Sequence, residues 1–331
     1  MIDKTDKILG AVLSAWAKRA TNTLGLLVFT TTQAMADFGP QRIISSNAIE
    51  VIDAFPADMD GDGDIDVLAA KPGSPFGGGS IVIYRNNGNG SFTELNNRFP
   101  GSSAALVSNV VGSDLDNDGD IDVVVGSSGF SSGGVRVYRN NGNLSFTRTF
   151  DNGNAPGLWD IHLADLNRDN RPEIIFSLGG SFDQIGIYIN SGNLSSWGSL
   201  ISAKTGTNTG DEPRSLHAAD IDGDGDMDVI SASDGDDKIS WYENNGSQSF
   251  TARDLNTSSG MGVTGVFATD LDLDGDIDIF SASNDDDKVI FAMKKGIKLT
   301  VKGESSRGTK TADIYSLNGF TNAFNQLQND C

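Results

Sequence analysis

Five short stretches of the chain concentrate carboxylates at alternate positions. They are Asp58, Asp60, Asp62, Asp64 and Asp66; Asp114, Asp116, Asp118, Asp120 and Asp122; Asp165, Asn167, Asp169, Arg171 and Glu173; Asp220, Asp222, Asp224, Asp226 and Asp228; and Asp270, Asp272, Asp274, Asp276 and Asp278. Counting each stretch from its first aspartate, side-chain oxygens at positions one, three, five and nine, with the backbone carbonyl of position seven, can wrap one hard cation. Completed by bidentate binding or water, those donors reach the roughly six to eight oxygens that calcium takes at about 2.3–2.6 Å. Magnesium fits less well, because it demands a tight octahedron and keeps its waters. The rival reading, a set of solvated acidic turns, is costly: two carboxylates about 4 Å apart repel by roughly 4 kcal/mol at an effective dielectric near 20. The stretches are therefore read as calcium loops, about five ions per chain.

Two details of the loops refine this. Gly63, Gly119, Gly225 and Gly275 stand at position six, where the backbone must turn sharply, and Asn170 replaces glycine in the third loop. Asparagine is the side chain that best tolerates left-handed geometry. An EF-hand is excluded, since it needs a bidentate glutamate at position twelve between two helices. Position twelve here is Ala69, Val125, Phe176, Ser231 and Ser281, and β-prone residues follow each loop at once.

The elements that hold these loops repeat with them. The loops start 56, 51, 55 and 50 residues apart. A second phrase follows each: Ile81–Gly88, Val135–Gly142, Ile185–Gly192, Ile239–Gly246 and Val289–Gly296, the first, second and fourth ending in Asn-Asn-Gly. That ending is hairpin turn chemistry. A third phrase, Ser-Phe-Thr at 91–93, 145–147 and 249–251, comes next, with Trp197 in the equivalent place of the third repeat. No repeat sustains a 3.6-residue period, so each is read as four strands: one before the loop, one directly after it, the tyrosine phrase, and one starting at the Phe-Thr. Four antiparallel strands per 40–55 residues is the pattern of a β-propeller blade. The fold class is all-β, with five blades expected and six or seven left open.

The D-x-D-x-D-G-x-x-D loops within β repeats resemble the FG-GAP repeats of integrin α-subunit propellers and the related VCBS-type repeats of secreted microbial proteins. The resemblance spans about residues 38–296. It implies a calcium-binding propeller and leaves activity open, because such propellers serve adhesion, ligand binding and in some cases lyase catalysis. One departure is the blade count, since integrin-type propellers resemble seven-bladed rings. The resemblance also implies that partners bind the rim carrying the loops into strand one and between strands two and three. On that rim the sequence varies most. Trp159 and Arg214 share a position with Ile52, Ser108 and Thr264, and Phe76 and Phe130 sit in dissimilar loops between strands two and three. Trp159, Arg214, Phe76 and Phe130 are the candidate partner-binding residues.

Composition and termini bound the rest. A net charge of −21 excludes a basic nucleic-acid binder, and two histidines with one cysteine, Cys331, exclude a disulfide scaffold and a Cys/His zinc site. No apolar run reaches the roughly 20 residues of a membrane span. Residues 1–36 read as a signal peptide: Lys4, Lys7, Lys18 and Arg19, an apolar stretch from Leu24 to Phe29, and Ala34-Met35-Ala36. The alternative is an amphipathic helix that stays attached. The propeller is placed at 37–298. Phe38–Ile44 looks like a fourth strand without a blade, and is expected to complete the last one, which lacks a Phe-Thr phrase. The rival for that role is Leu299–Lys302, with 299–331 a tail or partial blade. His162 and His217 share their register with Phe55, Val111 and Phe267, which points to packing rather than catalysis. The expected function is a secreted, calcium-stabilised binding or adhesion module for an extracellular protein or glycan, without catalysis. The alternatives are an extracellular carbohydrate-active enzyme of the lyase kind, using His162 or His217, and a purely structural surface protein.

Overall fold

The computed structural model describes residues 43–45, 51–72, 79–101, 106–128, 133–153, 157–180, 182–198, 201–203, 212–254, 262–270, 275–283, 289–292, 298–304 and 310–316. All regular structure among them is antiparallel strand. Blade one is β1 (Asp53–Ala57), β2 (Asp66–Lys71), β3 (Ser80–Asn86) and β4 (Phe92–Leu95). Blade two is β5 (Val107–Ser113), β6 (Asp122–Ser127), β7 (Gly134–Asn140) and β8 (Phe146–Asn152). Blade three is β9 (Leu158–Ala164), β10 (Glu173–Leu178), β11 (Gln184–Tyr188) and β12 (Ile201–Ser202). Blade four is β13 (Pro213–Ala219), β14 (Asp228–Ser233), β15 (Lys238–Asn244) and β16 (Phe250–Asp254). Blade five is described as three strands, β17 (Val263–Thr269), β18 (Asp278–Ser283) and β19 (Val289–Ala292). Within each blade, strands follow one another in sheet order. The first strands of consecutive blades touch, β1 with β5, β5 with β9, β9 with β13 and β13 with β17. The protein is thus an all-β propeller whose five repeats are five blades.

Packing explains the sequence of each strand. β6, β10 and β14 are buried at every residue. Each lies inside its sheet with a neighbouring blade on either face, so the apolar run is continuous rather than alternating. The seam between blades one and two joins Met59, Leu68, Ile81 and Ile83 of one to Val110, Val123, Tyr138 and Phe146 of the next. The same plan recurs at the following seams, with Tyr188 and then Tyr242 in the tyrosine place.

Hydrogen bonds latch the seams as well. Asn140 Nδ2 donates to the Met59 carbonyl of the preceding blade at 3.2 Å, Asn190 Nδ2 to Leu115 at 2.8 Å and Asn244 Nδ2 to Leu166 at 2.8 Å. At the opposite ends of the first strands, Asp53 Oδ2 accepts from Val110 N and Asp160 Oδ2 from Leu216 N, both at 2.9 Å. The asparagine expected only to turn the hairpin therefore also ties each blade to the one before.

Two sequence expectations need correcting. The fourth strand of repeat three does not begin at Trp197; the paired residues described there are Ile201–Ser202. Trp197 packs into the seam against Phe150 instead, and Gly198, which follows it, is a poor strand residue. Leu299–Lys302 is not the fourth strand of blade five. It belongs to β20 (Lys298–Glu304), which pairs with β21 (Lys310–Ser316) in a separate two-stranded sheet.

Of the closing strand expected at Phe38–Ile44, only Ile43 and Ile44 are among the described residues. Ile43 and Ile44 line a cavity of about 510 Å³ with Tyr84, Phe92 and Glu94 of blade one. Ile43 precedes its acidic loop by the same fifteen residues as Phe99 and Phe150. Phe99 covers Tyr138 and Phe146, and Phe150 covers Tyr188. Register thus sets Ile43 in the place of a residue within or just past a preceding blade's fourth strand. Ile65 is 53% exposed, whereas its equivalents Ile121, Met227 and Ile277 pack on the blade before.

Deleting residues 37–45 is expected to expose a sheet edge and abolish cooperative unfolding, while deleting 303–331 costs much less; the reverse ranking in thermal melts would assign closure to the C-terminal hairpin. Asn140→Ala should destabilise by about 2 kcal/mol in denaturant titration, because it strands the buried Met59 and Ile121 carbonyls.

Candidate metal centres and the opposite rim

Each acidic loop is shaped by its own first carboxylate. Asp58 Oδ2 accepts from Gly63 N, Asp114 Oδ2 from Gly119 N and Asp220 Oδ2 from Gly225 N, each at 2.9 Å, and Asp270 Oδ2 from Gly275 N at 3.0 Å. The position-six residues turn with positive φ, from +91° to +94° at the four glycines and +64° at Asn170. That is the geometry glycine adopts freely and asparagine tolerates. The side chain at position two (Met59, Leu115, Leu166, Ile221) is buried and pins the loop to the core.

The last carboxylate of the loop opens strand two and is buried: Asp66, Asp122, Glu173 and Asp228. Asp122 Oδ2 accepts from Leu115 N at 3.1 Å and its Oδ1 from Asn140 N at 2.8 Å. Asp66 and Asp228 make the same pair of bonds, to Met59 and Asn86 and to Ile221 and Asn244. Loss of hydration pushes Asp122 up to about 7, against the pull of those two amides, and neighbouring Asp116 and Asp118 push it the same way. Glu173 is raised to about 7 and Asp228 to about 6, again chiefly by burial.

Three of the loops gather carboxylate oxygens within 4.8 Å of one another: Asp58, Asp60 and Asp62; Asp114, Asp116 and Asp122; and Asp220, Asp222 and Asp224. Asp60 Oδ1 and Asp116 Oδ1 are buried with no hydrogen-bond partner. Converging oxygens, raised buried carboxylates and unpartnered acceptors together fit a hard cation, which would neutralise all of them. Position-seven side chains point away: Asp64 and Asp226 lie against the hairpin glycines Gly88 and Gly246, leaving position seven to offer its carbonyl. In the third loop, Asp165, Asp169 and Glu173 are not gathered in this way, and Arg171 Nη2 contacts Asp169 Oδ2 at 2.6 Å. In the fifth, Asp272 and Asp274 lie outside the described residues, while Asp270, Asp276 and Asp278 are within them.

The opposite rim lies six residues up the first strand from each loop, about 20 Å at 3.3 Å per residue. There the pairing of strands one and two skips a residue in blades two to five: Ser108, Trp159, Arg214 and Thr264. Such bulges re-aim a side chain without disturbing the strand beyond. The structure brings Trp159 and Arg214 together, the guanidinium 4.1 Å from the indole centre. Trp159 is 36% exposed. Three partners escaped sequence reading. Asp234 pairs with Arg214 Nε at 2.7 Å, Glu212 with its Nη2 at 3.2 Å, and Gly179 lies so close under the indole that any Cβ would collide with it. Phe182, in the hairpin between β10 and β11, is exposed on the same rim. Phe76 and Phe130 lie outside the described residues.

His162 and His217 face each other from β9 and β13 with ring centres 4.8 Å apart, and Phe267 stacks on His217 at 4.3 Å. Loss of hydration, with His162 adding to it, holds His217 well below the ordinary histidine range. The two rings pack against each other along the touching first strands.

The FG-GAP-like repeat signature matches residues 58–125, 114–176, 175–231 and 220–281. No curated protein sequence matches the chain. Among solved structures, the chain is similar to the biofilm matrix protein Bap1 of V. cholerae, with 18% identity and a TM-score of 0.42 over 80% of this chain and 37% of that one. It is similar to the Dos1 propeller with 12% identity and a TM-score of 0.47, over 81% and 68%. It is also similar to BBS1N, in a complex with ARL6DN, with 12% identity and a TM-score of 0.44, over 80% and 68%. The chain spans little more than a third of the Bap1 structure. The four signature matches run unbroken from the first acidic loop to the strand after the fifth, which is more than half of the sequence, and the chain belongs to the FG-GAP-like repeat family.

Proposed function

We propose that this protein is an exported, calcium-stabilised propeller that binds an extracellular protein or glycan and performs no catalysis of its own. The observation that carries the binding half is the Trp159–Arg214 stack, raised on adjacent bulges of the rim remote from the acidic loops. Tryptophan and arginine dominate interface hot spots, and a stack already held by Asp234, Glu212 and Gly179 loses little freedom on contact. The histidines pack against each other, and His217 is held unprotonated by burial, which argues against His217 as the acid of the lyase alternative.

Calcium would be held by the carboxylates of loops one, two and four, and in loop five by the same residue pattern. It would supply positive charge where the fold buries negative charge. Ligands that bind only the folded state stabilise it by mass action, by about 2.7 kcal/mol per site at a hundredfold excess over Kd.

Chelator should therefore lower the melting temperature steeply, with calcium restoring it and magnesium restoring it poorly; an unchanged melt would reject the metal. The pH dependence carries the sign of the missing ion. Asp122 and Asp228, raised to about 7 and about 6 without metal, make the metal-free fold bind more protons than the unfolded chain between roughly pH 4 and 7. Metal-stripped protein should gain stability as pH falls from 7.5 to 5. Calcium-loaded protein should lose it over the same range, because protons then compete with the ion.

For the rim, a screen of matrix proteins and glycans is the first experiment. Trp159→Ala or Arg214→Ala should weaken the partner it identifies by at least tenfold, in line with a hot spot of about 2 kcal/mol, while leaving the calcium-dependent melt intact. Parental affinity in both variants would mean that this rim is not the contact surface.

A further inference from the structure

The third acidic loop differs from the others in carrying positive charge. Arg171 stands at position seven, where the other loops have Asp64, Asp120, Asp226 and Asp276. Its Cδ, Nε and Cζ lie against the hairpin glycine Gly192, much as Asp64 and Asp226 lie against Gly88 and Gly246, and the tip of the guanidinium reaches back to Asp169. Nη2 lies 2.6 Å from Asp169 Oδ2, while Asp169 Oδ1 accepts the Arg171 backbone N–H at 2.9 Å. Both oxygens of the position-five carboxylate are thus bonded to one residue.

The remaining donors are engaged in the same way. Asn167, at position three, offers Oδ1 to Asp169 N at 2.9 Å and Nδ2 to Glu173 Oε1 at 3.1 Å. Glu173 Oε2 accepts from Leu166 N at 2.7 Å, and Asp165 accepts from Asp169 N and Asn170 N. Loops one and two each leave a buried position-three oxygen unpartnered, and the third loop has no counterpart to it. Replacing aspartate by asparagine at position three and aspartate by arginine at position seven shifts the loop's charge by three units toward positive. A cation of charge two entering beside the guanidinium would meet repulsion and find Asp169 and Glu173 already bonded to the side chains of Arg171 and Asn167.

The loop's second arginine turns outward. Arg168 Nε donates to the Gly225 carbonyl at 3.0 Å and Nη2 to the Asp224 carbonyl at 3.2 Å, and Nη2 lies 2.9 Å from Asp226 Oδ1. A Cβ at Gly225 would sit 2.5 Å from that Nη2, so glycine there admits the bridge as well as the turn. The third loop thereby grips the fourth across the seam between blades.

We propose that the third loop takes no calcium and that Arg171 stands in for the ion, so that this one blade keeps its loop closed whatever the calcium concentration. The inference rests on the calcium reading of the other loops. Native mass spectrometry of the full chain at saturating calcium tests it by difference. Asp114→Asn should remove one ion, Asp165→Asn with Asp169→Asn should remove none, and Arg171→Asp should add one. Loss of an ion from the Asp165/Asp169 variant would overturn the proposal, as would an unchanged count in Arg171→Asp. Should Arg171→Asp fail to fold, Arg171→Ser, which frees Asp169 without adding charge, must raise the count instead. A parent chain that binds no calcium at all would overturn the calcium reading itself, and this inference with it.

Discussion

The structure hangs on a buried carboxylate at the start of each second strand. Asp122 joins three pieces of its blade at once: it begins β6, its Oδ2 holds the acidic loop through Leu115 N, and its Oδ1 holds the end of β7 through Asn140 N. Removing an ionised carboxylate from water is strongly unfavourable unless something returns the lost solvation. Two amides return part of it, and a value near 7 measures what they leave unpaid. The row of aspartates before it makes sense in that light. They add negative charge to a place already short of positive charge, an arrangement that the proposed cation would balance.

From that node the seams follow. Asn140 donates its backbone N–H to Asp122 Oδ1, and its side chain then reaches the Met59 carbonyl of the loop in the blade before. Loop, hairpin and neighbouring blade are therefore parts of one connected network, and order in a loop should be felt in the seam beside it. The far ends of the first strands are held separately, by Asp53 and Asp160 on amides of following blades. Between the two latches the seam is apolar, and tyrosine recurs there because a blade's third strand needs a large ring to span the gap.

What was legible in the sequence is what repeats. The donor spacing, the glycine at position six, the Asn-Asn-Gly turns and the four-strand blade are each imposed on every unit by the same local physics, so five copies made them plain. Features that depend on pairing register were not legible. The bulge at Trp159 and Arg214 exists only relative to β10 and β14, and no local signal marks it. Asn140 was read as a turn residue because its turn role is local and its contact with Met59 is eighty-one residues away. Trp197 matched the Phe register yet did not begin a strand, because the match reported packing into the seam rather than pairing at the edge. The guanidinium of Arg171 could as well have swung to solvent; only side-chain placement shows it on Asp169.

The two rims are under opposite constraints, and this accounts for their sequences. On the loop side, the proposed cation would accept only a narrow set of donors, so a blade that departs from the pattern needs another source of positive charge, which the third has in Arg171. On the other side, in blades two to five, the bulged residue is already taken out of the ladder between strands one and two. Ser108, Trp159, Arg214 and Thr264 can therefore differ from blade to blade while the strands beneath them stay the same. A rigid frame with a bulged residue at its opposite edge in each of four blades is physically suited to selective contact. Where two such residues have come to stack on each other, with an acid on either side and a glycine cleared beneath the ring, that edge has acquired a structure that folding alone does not require.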